Sequence, residues 1–232
     1  MNILEIQTAL AGLGYRPGPL DGVWGRQTAS AVREFQKDRG LEVDGVVGPQ
    51  TLGALASATH RTGNVGDPPV VWYAEAARQY GTKEQPGPAS NRTILKWASD
   101  RGIPYRSDDI PWCGLFVAHC IGSTLEREPM PGAPLRARAW ERFGIATQPT
   151  KGAILVFWRG SLQSGLGHVG FYAGEDKTAL CVVGGNQSNQ VSLAWIAKDR
   201  LLTARWPATV APVVPKPIKL ARGDAELSIQ EA

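Results

Sequence analysis

Apolar residues recur at helical spacing three times within the first 56 positions. Leu4, Ile6, Leu10 and Leu13 predict a first helix over 3–13. Ala31, Val32 and Phe35 mark a second, and Leu52 and Leu55 a third. The stretch 57–69 then turns polar and carries Gly and Pro, the composition of a linker. Beyond it, residues 70–80, 93–101, 113–125 and 135–143 read as helices. Short β-branched and aromatic runs follow at 153–158, 168–173, 179–183 and 201–206. Helices first and strands second predict an α+β domain with an antiparallel sheet over 70–206, behind an all-α three-helix bundle over 1–56. From Pro207 the chain holds four prolines without a period, and it reads as an extended or mobile tail to 232.

The first region repeats itself. Asp21-Gly22-Val23-Trp24-Gly25-Arg26-Gln27-Thr28 is echoed by Asp44-Gly45-Val46-Val47-Gly48-Pro49-Gln50-Thr51. Asp-Gly supplies a tight turn whose glycine takes positive φ, and Pro49 suits the first turn of the helix that follows.

Composition narrows the class. An apolar fraction of 43% and a charged fraction of 20% suffice for ordinary globular cores. No apolar run reaches the ~18 residues of a membrane span, so no membrane insertion is expected. The first residues, Met1-Asn2-Ile3-Leu4-Glu5, lack the charged-then-apolar pattern of a leader. A net charge of +4 suits an anionic polymer but does not argue for nucleic acid. No zinc-type His/Cys spacing, calcium loop or phosphate-cradling loop is present, so neither metal nor cofactor is expected.

Three cysteines remain, an odd number that argues against a disulfide framework. Cys113 follows Pro111-Trp112 at the start of an apolar helical pattern. There the unpaired N–H groups and the helix dipole favour a thiolate, and the same N–H groups can stabilise an oxyanion. Cys120 lies about 10.5 Å further along the same helix, too far for a bridge to Cys113. Cys120 and Cys181 both fall in apolar runs and read as core. Of the three histidines, His60 is in the linker and His119 lies about 240° round the helix from Cys113. His168, between glycines, is left as the base. A hairpin over 168–183 returns residues 183–186 beside it, and Asn186 is expected to orient the ring through its side-chain oxygen. Glu84 and Asp109 can place carboxylates near the cleft to meet an ammonium or amide group.

Two resemblances follow from these blocks. Gly14-Tyr15, Gly18-Pro19-Leu20-Asp21-Gly22-Val23-Trp24-Gly25 and Asp44-Gly45-Val46-Val47-Gly48-Pro49-Gln50-Thr51-Leu52 resemble the three-helix peptidoglycan-binding domains. The resemblance implies bacterial peptidoglycan as partner, with Tyr15, Asp21, Trp24 and Asp44 as candidate contacts. Pro111-Trp112-Cys113-Gly114-Leu115-Phe116-Val117, Gly167-His168-Val169-Gly170-Phe171-Tyr172 and Gly184-Gly185-Asn186-Gln187 are similar to the CHAP-type cysteine/histidine amidohydrolases. These are papain-like peptidoglycan hydrolases related in fold to the NlpC-type group. The resemblance implies a Cys113–His168–Asn186 triad, with Trp112, Gly114 and Gln187 lining the site. Many members carry a Glu two residues before the Asn. Here Gly184 stands in that place, which leaves open whether Glu84 or Asp109 compensates.

Together the blocks imply a monomeric two-module wall hydrolase that cuts an amide of the stem peptide or its lactyl junction. With no leader, it resembles a phage endolysin, held in the host cytoplasm until holin-mediated release to the wall. A non-catalytic wall-binding protein and an acyl- or transpeptidase using the same thiol are the alternatives.

Overall fold

A computed structural model describes residues 3–62, 70–87, 89–220, 222 and 226–228. They form two compact units divided near residue 67, with Arg222 grouped with the first.

The first unit is three helices: α1 (Ile3–Gly12), α2 (Arg26–Asp38) and α3 (Pro49–Thr62). Leu10, Val32, Phe35 and Leu55 close its core, as their helical spacing requires. Helix α3 runs six residues into the stretch whose composition reads as linker. The rest of that linker, 63–69, and the side chain of His60 lie outside the described residues.

The repeat has a physical cause that its Asp-Gly signature only half displays. Gln7 of α1 is buried and donates to Asp21 Oδ1 (3.1 Å), the Val23 carbonyl (3.0 Å) and Thr28 Oγ1 (3.2 Å). Its oxygen accepts from the Gly22 N–H at 2.9 Å. Gln36 of α2 repeats this with Asp44 (2.7 Å), the Val46 carbonyl (2.9 Å), Thr51 (3.1 Å) and the Gly45 N–H (2.9 Å). Gly22 and Gly45 take φ of 72° and 74°, the left-handed turn that glycine adopts without a Cβ penalty. Each glutamine thus satisfies a whole turn from inside the bundle. Gln36→Ala is expected to destabilise the first unit by about 1–3 kcal/mol, because it leaves the buried Gly45 N–H without its acceptor. Urea unfolding followed by far-UV CD measures this. A loss under about 0.5 kcal/mol would mean that water replaces the amide freely.

The second unit carries α4 (Val71–Arg78), α5 (Arg92–Asp100) and α6 (Cys113–Thr124) ahead of a six-stranded sheet. Its strands are β1 (Ile145–Thr147), β2 (Ile154–Trp158), β3 (Gly167–Glu175), β4 (Ala179–Gly184), β5 (Ser192–Ala197) and β6 (Leu201–Trp206). They lie in the order β1-β6-β2-β3-β4-β5, and every pair is antiparallel. Helix α6 is buried on nearly every face and packs on β3 and β4. That is why its sequence lacks a polar stripe.

Three elements differ from their sequence reading. Residues 135–143 contain a six-residue 3-10 helix, Ala137–Arg142, in place of an α-helix. The chain leaves this segment through Gly144 at φ 46°, a left-handed turn that ends it. Strands β1 and β5 lie at the two sheet edges and were not predicted. β1 is three residues long, and β5 is half-buried along most of its length, so neither makes a clear apolar run.

The tail is docked where it is described. Glu128 is buried and accepts from the Ala208 and Thr209 N–H groups, both at 2.8 Å. Further on, the Ile218 N–H donates to the Tyr172 hydroxyl (3.0 Å) and the Leu220 N–H to the Glu175 carbonyl (2.9 Å). Prolines hold this segment extended, and buried acceptors hold it down. Residues 221, 223–225 and 229–232 of the predicted tail lie outside the described residues. Glu128→Ala is expected to cost about 2–4 kcal/mol and to expose 207–220 to protease. A melting curve and limited proteolysis read the two effects.

Candidate active site

The site forms where the first turn of α6 meets the start of β3 and the loop after β4. Cys113 opens α6, and the Val169 N–H lies against its sulphur. Val169 follows His168, so the strand that carries the imidazole also touches the thiol. The loop 184–191 presses on the same turn. Gly185 makes that approach feasible, since a Cβ there would stand 2.5 Å from Phe116 Cβ and 2.7 Å from the Trp112 ring. Gly114 plays the matching part on the other side, where a Cβ would collide with the Pro134 carbonyl.

His168 is fully buried, and its Nε2 lies 3.0 Å from Gln187 Oε1. The partner of the ring is therefore Gln187 and not Asn186. Asn186 points elsewhere, at φ 56°, and its buried Oδ1 has no hydrogen-bond partner. The hairpin register explains the displacement. Phe171 faces Val183, so β4 ends beside Gly170 and the loop must fold back to reach His168. The Gln187 N–H bonds to the Gln190 carbonyl (2.9 Å), and Asn186, Ser188 and Asn189 all take left-handed φ. This tight reversal aims residue 187, rather than 186, at the ring. Such strain persists where the surroundings over-determine it, which is frequent at functional loops.

The amide of Gln187 has only one orientation. Its Nε2 faces the Ser192 carbonyl at 2.6 Å and the Val182 carbonyl at 3.4 Å, and carbonyls only accept. Oε1 must then accept, so His168 Nε2 carries the proton and the neutral ring has its lone pair on Nδ1. Gly184 makes room for this bond. A Cβ there would stand 2.6 Å from Gln187 Oε1 and 2.8 Å from His168 Nε2. Gly184 is thus the vacancy that Gln187 fills.

The thiol departs from its sequence reading. Cys113 is 3% exposed, and burial pushes its pKa above the ordinary thiol value. The Val169 and Gly114 N–H groups and the Arg159 charge act the other way without overcoming it. The helix start is present, but loss of water outweighs it.

An acidic rim stands on one side. Asp108 is fully buried and accepts from the Gln85 N–H (2.9 Å) and the Asn91 N–H (2.7 Å), which fixes the segment that carries Glu84. The Glu84 N–H bonds to the Asn189 carbonyl at 2.8 Å, beside the Gln187 loop. Asp109 is exposed and bonds to the Ser107 hydroxyl at 2.9 Å. Burial raises the Tyr105 pKa, and the charges of Asp108, Glu84, Asp109 and Cys113 add to the rise, so all four surround that phenol. The sequence offered Asp108 with Asp109 as a cleft carboxylate, but Asp108 is buried and its oxygen is taken up by backbone N–H groups, while Tyr105 escaped the sequence reading.

The remaining candidates take structural places. His119 Nε2 lies 3.0 Å from Glu75 Oε1, and its ring stacks on Trp97 at 5.0 Å. Cys120 and Cys181 are buried and free. In the first unit, Asp21 and Asp44 are consumed by the glutamine-filled turns. Each accepts from the N–H two residues on, at 2.8 Å. Tyr15 sets its ring edge on Phe35 and donates to Asp38 Oδ2 at 2.9 Å. Trp24 is 39% exposed, and Val23 and Val46 more so, at the tips of the two turns. Among the described residues, no group of three or more His, Cys, Asp or Glu side chains can hold a metal ion. No helix among them is long and apolar enough to cross a membrane.

Residues 2–55 match the family described as "Putative peptidoglycan binding domain". The N-acetylmuramoyl-L-alanine amidase CwlM of Mycobacterium tuberculosis is 34% identical over 82 residues, which cover 35% of this chain and 20% of that protein. The spore cortex-lytic enzyme of Halalkalibacterium halodurans is 39% identical over 59 residues, covering 25% and 18%. That of Bacillus subtilis is 49% identical over 55 residues, covering 23% and 18%. The chain thus spans about a fifth of the length of the curated relatives it matches. No solved structure matches.

Proposed function

We propose that this protein is a peptidoglycan amide hydrolase whose first unit holds the wall and whose second cuts it. The family match over 2–55, and relatives named as an amidase and as cortex-lytic enzymes, support the wall as target. A binding unit on the same chain raises the local substrate concentration at the second unit. The chemistry rests on the His168–Gln187 hydrogen bond at 3.0 Å, on a strand whose next residue, Val169, turns its N–H to the thiol that opens α6.

In this reading His168 Nδ1 takes the Cys113 proton while Sγ attacks the amide carbonyl. The tetrahedral oxyanion is met by N–H groups of the first turn of α6. The C–N bond then breaks, and the imidazolium returns its proton to the leaving amine. Water, deprotonated by the same ring, hydrolyses the thioester and restores the thiol. Gln187 holds the ring throughout and takes the part that the sequence assigned to Asn186. The arrangement is papain-like in its roles, with an amide as third member. Glu84 and the exposed Asp109 suit an ammonium or amide group of a stem peptide, and the buried Asp108 holds the segment next to Glu84.

Digestion of purified peptidoglycan, with products identified by mass spectrometry, tests the proposal. New free amines and shortened stem peptides are the expected result, and their masses name the amide. A second reading, wall binding without turnover, draws on the raised thiol pKa. Sedimentation with the wall and no released fragment would favour it.

A further inference from the structure

A groove lies beside the start of the strand that carries His168. This groove, of about 560 Å³, lies between the loop at 129–132 and the 3-10 helix Ala137–Arg142. Arg138 belongs to both places. It lines the groove, and its aliphatic stem lies against Gly167, the residue before His168. Its Nη1 donates to the Leu162 carbonyl at 3.3 Å, which fixes the guanidinium at the border. The loop that walls the groove runs on to Pro134 and Leu135, whose carbonyls touch Gly114 beside Cys113.

Two arginines and one glutamate line the groove. Arg138, Glu141 and Arg142 are its only titratable lining residues, and Glu141 is committed to Arg138 Nε. That pairing holds the Arg138 fork in place and leaves the lining with a net positive charge. Pro129, Met130 and Phe143 supply an apolar wall. A fixed guanidinium, a second arginine and apolar walls suit a carboxylate on a short aliphatic stem.

We infer that the Arg138–Arg142 groove is the subsite for a carboxylate of the stem peptide, next to the amide that is cut. This rests on the hydrolase reading above. Stem peptides carry free carboxylates beside their amides, and the groove takes one of them while the scissile carbonyl lies at Cys113.

The test uses the full chain and soluble disaccharide-peptides from a bacterial wall, either untreated or with their carboxyls converted to amides by carbodiimide and ammonia. Wild type is expected to prefer the free acid by about tenfold in kcat/KM, mostly through KM. In Arg138→Gln/Arg142→Gln the preference falls toward one. Affinity of Cys113→Ala for the same two ligands gives a second reading without turnover. If wild type cuts both substrates equally, the subsite is overturned and the hydrolase reading stands. If nothing is cut but Cys113→Ala still prefers the acid, the subsite stands and the hydrolase reading fails. Equal affinity without turnover overturns both.

Discussion

Cys113→Ala is expected to stop amide hydrolysis, with a loss of roughly a thousandfold or more in kcat/KM, while binding to the wall persists. The substitution removes only a sulphur from the start of a fully packed helix. Circular dichroism and wall sedimentation should be unchanged, which separates lost chemistry from lost fold. His119→Ala is the matched control. It sits on the same helix but is bonded to Glu75 and stacked on Trp97, so it should cost stability and leave turnover per folded molecule intact. A Cys113→Ala protein that still releases peptide at the wild-type rate would remove the thiol from the mechanism. The same thiol sets a pH dependence. Burial favours its protonated form and holds its pKa above the ordinary thiol value. The reactive thiolate is therefore the species gained as pH rises, so kcat/KM should climb on the alkaline side of neutrality. A pH–rate profile already flat from about pH 6 would mean that His168 has taken the proton before substrate arrives.

The second large effect concerns the ring. Gln187→Ala should lower kcat/KM by about a hundredfold, because His168 then loses both its orientation and its fixed tautomer. Gly184→Ala should approach the same loss from the other partner. Its methyl would stand 2.6 Å from Gln187 Oε1 and 2.8 Å from His168 Nε2, and must push the amide off the ring. Both changes delete one hydrogen bond, so the double variant should be little worse than either single one. Such non-additivity is the signature of a shared interaction. Asn186→Ala serves as the comparison, since its side-chain oxygen bonds to nothing. If it proves as damaging as Gln187→Ala, the assignment of the orienting residue reverts to Asn186.

Much of this arrangement was legible before any coordinates. The doubled Asp-Gly turn, the helical spacing around it and the change from helices to strands marked the two regions. The helix start after Pro111-Trp112 singled out Cys113, and elimination singled out His168. Other features were not legible. Gln7 and Gln36 stand among helical residues with nothing to mark them, yet they fill the two turns. Tyr105 lies in a loop with no period, and nothing there marked Asp108 as buried rather than exposed like Asp109. The arginines that line the groove read as ordinary surface charge.

The residues that alternate or recur along the chain were thus set by sequence, because burying one face of a helix or strand leaves a period behind. What only the tertiary structure decided was which neighbour of a turn points inward. Asn186 and Gln187 are adjacent, and both can accept from an imidazole N–H. The choice fell to Gln187 because β4 ends opposite Gly170 and the loop reverses through three left-handed residues. The sign of the thiol shift was decided the same way. A helix start favours the thiolate from its own sequence, but the packing of Cys113 against β3 and the loop removes the water that a charged sulphur needs.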